Sequence, residues 1–234
     1  SKYFNEYFGF TDREVREMLD FYGLGDKYEI VRNWYDGYHL GNADVYCPWD
    51  VVNYVNLLCA DPEEPPRAFW INSSGNQIIR TFLQMAAPGT QREIEKLVNG
   101  GSVAKKVNQE LTYRELYDSL DNLWSVLFMT GYLTQQGAEE NGIFHLVIPN
   151  LEIRKIFEEQ ILMWFQEDSR KDPAKLDAFC AAFPAGDAAE AEARFNAYLS
   201  KTISIRDTGV RKGRKENFYH GILLGLLSHR EDWL

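Results

Sequence analysis

Cysteine is scarce and widely spaced. Cys47, Cys59 and Cys180 are odd in number and no two sit at zinc-ligand spacing. That pattern excludes a disulfide scaffold and a cysteine-based zinc site, and it predicts buried thiols in a reducing compartment. Long apolar runs are also missing. The longest, Ile222–Leu227, is six residues, against the roughly 18 a membrane-spanning helix needs. Ser1–Phe10 mixes charge, aromatics and glycine, so it does not read as a secretory signal. A soluble, cytoplasmic chain that does not engage membranes is the expectation. An excess of positive charge is absent too. The net charge is -10, which argues against nucleic acid binding over the whole surface.

Catalytic signatures are equally sparse. No GxxxxGK[ST] and no GxGxxG occurs, so no glycine-rich loop is present to cradle phosphates. HExxH and GxSxG are missing as well. Many metal-dependent nucleases place an acid two residues before a lysine, the acid for the metal and the lysine for the attacking water. No lysine after Lys2 has Asp or Glu at that position. There is no initiator methionine, and the chain stops at Trp233-Leu234 just beyond an apolar helix pattern. We therefore expect a segment of a longer protein.

What is present reads as mainly α with a small β-hairpin. Thr11-Asp12-Arg13-Glu14 is a capping-box pattern ahead of Val15, Met18, Leu19 and Tyr22 at helical spacing. Helices are also expected over 27–34, from Pro48 along Val51, Val52, Tyr54, Val55 and Leu58, from the polar, cap-like Asn72–Asn76 along Ile78, Ile79, Phe82 and Leu83, and over 90–98. Residues 36–47 hold two glycines and an asparagine among aromatics, which fits an irregular loop or short hairpin. The stretch 61–66, with three prolines and three acids, is a loop.

A second capping box, Thr112-Tyr113-Arg114-Glu115, predicts another helical stretch. A helix through Leu123, Val126, Leu127 and Met129 then ends at Gly131. Tyr132–Gln136 and Ile143–Ile148 are β-rich runs around a polar turn and predict a hairpin. Asn150 caps a helix through Ile153, Ile156, Phe157, Ile161, Trp164 and Phe165. Further helices follow over 173–183, 187–199 and 215–230. Helices before a hairpin and a closing helix suit a winged-helix-like middle. Its presumed recognition helix carries no Lys or Arg, so packing against protein fits it better than DNA.

Two clusters remain as candidate sites. Residues 201–215 hold Lys201, Arg206, Arg211, Lys212, Arg214 and Lys215 against Asp207, a local balance of +5 that leaves the remainder at -15. These six are candidate nucleic-acid contacts, with only weak binding expected from so acidic a chain. Glu216 and His220, four apart, share one helix face and can form a side-chain pair. His145 reads as a solvent-facing strand residue. His39 and His229 have no evident companions. The last helix presents an apolar band, Phe218, Tyr219, Ile222, Leu223, Leu226 and Leu227, and should fold back on the helices of 150–200.

Several strings carry a resemblance. They are Phe8-Gly9-Phe10-Thr11 with Gly23-Leu24; Trp34-Tyr35-Asp36-Gly37-Tyr38 with Tyr46, Pro48 and Trp49; Trp70-Ile71-Asn72 with Ser73 and Asn76; and Leu111-Thr112-Tyr113. Thr130-Gly131-Tyr132-Leu133-Thr134, Ile148-Pro149-Asn150 with Glu152, and Phe218-Tyr219-His220-Gly221 with Gly225-Leu226 continue them in order. Together the set resembles bacterial proteins that join an AAA-ATPase-like domain to a C-terminal PD-(D/E)XK nuclease-like domain. The resemblance implies a three-part division: 1–88 as the helical end of the ATPase-like region, 89–150 as a winged-helix-like connector, and 151–234 as opening helices of a truncated nuclease-like domain.

It also implies that ATP and Mg²⁺ belong to the full-length protein, whose P-loop lies before Phe4 and whose nuclease acids and lysine follow Leu234. No cofactor or metal is implied for this chain itself. Its expected partners are those flanking domains, and Glu216 and His220 would be residual positions of a nuclease helix. A DNA-contacting module and a protein-interaction scaffold are the alternative readings.

Overall fold

Thr11 shows how closely local chemistry sets the elements. Its hydroxyl accepts the Glu14 N–H, and the Glu14 carboxylate accepts the Thr11 N–H at 2.8 Å. The reciprocal cap starts α1 (Asp12–Phe21). Removing it with Thr11→Ala is expected to cost about 1 kcal/mol, read as a lower urea midpoint.

In the computed structural model, residues 5–41, 43–70, 76–112, 114–116, 118–201 and 212–227 are described. After α1 come α2 (Tyr28–Tyr35), β1 (Tyr38–Leu40), β2 (Ala43–Val45), α3 (Pro48–Ala60), α4 (Asn76–Met85), α5 (Pro88–Val98) and β3 (Val103–Lys106). Then follow α6 (Leu120–Met129), β4 (Thr134–Gln135), β5 (Ile143–Val147), α7 (Leu151–Arg170), α8 (Pro173–Ala182), α9 (Ala188–Lys201) and α10 (Lys212–Leu227). The described residues are mainly helical with a small β-hairpin, as expected, and form two small antiparallel sheets. No described helix is long and apolar enough to cross a membrane.

The chain divides into two compact units. One holds residues 1–78 and 102–157, the other 79–101 and 158–234. Of the three boundaries, 78/79 falls inside α4, 157/158 inside α7, and 101/102 between α5 and β3.

In the first unit, Val15 and Leu19 of α1, Val31 and Tyr35 of α2, and Val51, Tyr54, Val55 and Leu58 of α3 form one buried cluster. Two of its tyrosines hold the proline-rich loop in place. The Tyr35 hydroxyl donates to the Arg67 carbonyl at 3.0 Å and the Tyr54 hydroxyl to the Glu64 carbonyl at 3.1 Å. β1 and β2 make the short hairpin within 36–47, pairing His39 with Asp44. His39 therefore does have a companion: its Nδ1 lies 2.7 Å from the Asp44 carboxylate.

The second sheet has the order β3-β5-β4. The expected hairpin forms from β4 and β5, with Gln135 opposite Leu146. Along β5, Phe144 and Leu146 are buried while Ile143 and His145 face solvent. β3 was hidden in the sequence by its two lysines. It pairs with the other edge of β5, Val103 opposite Leu146 and Ala104 opposite His145.

The second capping box is a correction. The Thr112 N–H does donate to the Glu115 carboxylate at 2.9 Å, but the Glu115 N–H donates to the Thr112 carbonyl at 3.0 Å, and the Glu115 carbonyl accepts the Asn122 side-chain amide at 2.7 Å. With that carbonyl engaged outside a helix, the stretch closes a turn. The helix starts later, at Leu120, capped by Ser119.

In the second unit, Phe165, Leu176, Phe179 and Cys180 enclose Ile222 and Leu226 of α10. The last helix does fold back. Gly221 and Gly225 face α7: a Cβ on Gly221 would meet Leu162 at 3.7 Å, and one on Gly225 the Gln166 side chain at 2.6 Å. The thiols are not uniformly buried, because Cys59 is exposed and Cys47 half-buried. Only Cys180 matches the expectation, with its Sγ 3.8 Å from the Leu226 carbonyl.

Candidate functional site

The most unusual chemistry lies where two helices of the first unit begin. Pro48 opens α3 without a side-chain cap, and Asn150 opens α7 by accepting the Ile153 N–H at 3.0 Å. Each helix carries an acid in its first turn, Asp50 and Glu152. Helical periodicity puts both acids on the inward face. Asp50 shares its stripe with Val51, Tyr54, Val55 and Leu58, and Glu152 shares its own with Ile153, Ile156, Phe157 and Ile161. Both side chains are fully enclosed, at 0 % exposure.

Close backbone approach builds the surroundings. Gly37 has φ +109°, and a Cβ there would lie 2.1 Å from the Pro149 carbonyl oxygen. Only glycine lets the chain entering β1 pass so near the segment that leads into α7. On the other side, Trp70 donates its backbone N–H to Glu152 Oε1 at 2.9 Å. Its indole meets Tyr132 edge-on, with centroids 6.0 Å apart. The Tyr132 hydroxyl donates to Asn76 Oδ1 at 2.8 Å, and Asn76 Nδ2 donates to the Trp70 carbonyl at 3.2 Å. The His39 N–H reaches Thr134 Oγ1 at 2.9 Å.

Around the acids, donors are few. The Cys47 thiol, the Trp70 indole and the Glu152 carboxyl act on Asp50, yet among the described residues neither Asp50 oxygen has a partner in full hydrogen-bond geometry. Glu152 Oε2, the Tyr38 hydroxyl and Asn150 Nδ2 are likewise buried without one. Burial, then the neighbouring Asp50 charge, pushes the Glu152 carboxyl up to about 8. Burial raises Asp50 as well. The Cys47 thiol rises to about 12, mainly through burial and secondly through Asp50, so it is no nucleophile. Two buried carboxyls without a cation beside them cannot both ionise cheaply, and the favoured state carries one proton between them. Among the described residues, no group of three or more His, Cys, Asp or Glu could hold a metal ion.

His220 is exposed on α10. Glu216, Lys212, Arg214 and Lys215 lie on the first turns of α10 and Lys201 ends α9, but their side chains are outside the described residues. Arg206, Arg211 and His229 lie outside the described residues altogether. No protein-family model, curated protein or solved structure matches the chain. Of the acid pair, the strings that carry the resemblance include Glu152 and not Asp50. The available signal was an acid in phase with an apolar stripe at the first turn of a helix.

Proposed function

We propose that this chain is a connecting, regulatory segment of an AAA-ATPase-like protein with a C-terminal PD-(D/E)XK nuclease-like domain, and is catalytically inert by itself. The observation that supports this reading is convergence. Stretches that carry the resemblance, at 34–38, Trp70, 130–134 and 148–152, meet in one junction of the first unit through the Gly37–Pro149 approach, the Trp70–Tyr132 contact and the Trp70–Glu152 hydrogen bond. A junction packed from distant stretches shifts as a unit, because well-packed interiors switch between arrangements more readily than they deform. Such a piece suits the conversion of nucleotide-driven movement into access to a nuclease site.

On this proposal the working partners are the flanking ATPase-like and nuclease-like domains of the same cytoplasmic protein, and ATP and Mg²⁺ act there. The 201–215 stretch adds at most a weak, salt-dependent contact to DNA. The purified chain is expected neither to hydrolyse ATP nor to cut DNA with added Mg²⁺ or Mn²⁺. Turnover that co-purifies with it and disappears in Glu216→Ala would overturn the proposal.

A further inference from the structure

We infer that Asp50 and Glu152 form a proton-holding latch: one proton shared between their carboxyls keeps the starts of α3 and α7 and the Trp70 backbone together, and its release to solvent loosens that junction. The inference stands on the geometry of the first unit and does not depend on the functional reading above.

The geometry allows few other arrangements. Both carboxyls are fully enclosed. Among the described residues, no lysine, arginine or histidine is among the groups acting on Asp50. The titratable groups facing the pair are Tyr35 from α2, Tyr38 from β1 and Cys47 at the start of α3, none of which carries positive charge. The helix N-termini and the Trp70 N–H favour negative charge, and they suffice for one carboxylate. A second charge in the same enclosure has no counterpart, so removing the last proton forces water in or the two helix starts apart.

The sign follows from where the proton is held. Glu152 binds its proton more tightly folded, with a pKa of about 8, than unfolded, near the ordinary carboxyl value of 4.5. Its contribution to stability is therefore full below about 4.5 and is lost as pH rises through about 8. In that window one shared proton shifts the folding equilibrium by up to roughly tenfold per pH unit.

The test uses the whole chain. Carboxyl ¹³C NMR across a pH titration of the wild type should show one proton leaving the Asp50–Glu152 pair well above the usual carboxylate range. Urea midpoints should fall as pH is raised, and fall less in Glu152→Gln, which keeps the acceptor for the Trp70 N–H but cannot lose a proton. If both carboxyls ionise in the ordinary range, or the wild-type and Glu152→Gln midpoints run parallel across pH, the latch is refuted. Should Glu152→Gln fail to fold, the wild-type NMR titration decides alone.

Discussion

Replacing Phe179 with alanine is expected to destabilise the second unit by about 3–5 kcal/mol, the range for deleting a fully buried aromatic. Phe179 is 0 % exposed and sits among Phe183, Phe195 and Tyr198, with ring centroids 5.1, 6.1 and 6.0 Å away. Neighbouring helices cannot collapse into a hole of that size without breaking other contacts, so a cavity remains. Ile222 and Leu226 share this cluster. Amide exchange over Ile222–Leu227 should accelerate in Phe179→Ala, because undocking α10 then gives up less buried surface. Leu224, on the same helix but 66 % exposed, supplies the control. Leu224→Ala should stay within about 0.5 kcal/mol of wild type. Equal effects of the two substitutions would mean that α10 is not docked through this cluster.

Gly37→Ala is expected to cost about 2–4 kcal/mol, combining strain at positive φ with a steric conflict. The added Cβ would fall 2.1 Å from the Pro149 carbonyl oxygen, and backbone atoms on both sides would have to move. Gly137 separates the two contributions. It also has positive φ, +75°, but nothing lies within 4 Å of its would-be Cβ. Gly137→Ala should therefore cost only about 1 kcal/mol. Urea titrations followed by tryptophan fluorescence can compare the three proteins. Matching losses in both variants would show that the Gly37–Pro149 approach is not what holds the junction.

The elements were largely legible because local chemistry and periodicity agreed. Thr11, Pro48, Asn150 and the glycine-broken helix ends each mark a boundary that the structure keeps. The hairpin of β4 and β5 was readable from its alternation. Failures came where tertiary partners redirected a local signal. Thr112–Glu115 has a capping-box sequence, but Asn122 takes the Glu115 carbonyl and a turn results. β3 is short and lysine-bearing, which suits a sheet edge but hides it from hydrophobic patterning.

The acid pair was missed for a different reason. Acids in a first helical turn are ordinarily solvated and complement the helix dipole, so Asp50 and Glu152 looked unremarkable one helix at a time. Only their phase with Val51–Leu58 and Ile153–Ile161 marks them as inward-facing. Their proximity depends on the Gly37–Pro149 approach, which no local pattern encodes.

The claim that this chain connects an ATPase-like and a nuclease-like domain is tested most directly by sequencing the genomic reading frame around its 234 codons. The account predicts a P-loop encoded upstream of Phe4, and a strand with an acid two residues before a lysine encoded downstream of Leu234. A start codon and a stop codon bounding these residues, or flanking sequence without either feature, would contradict it.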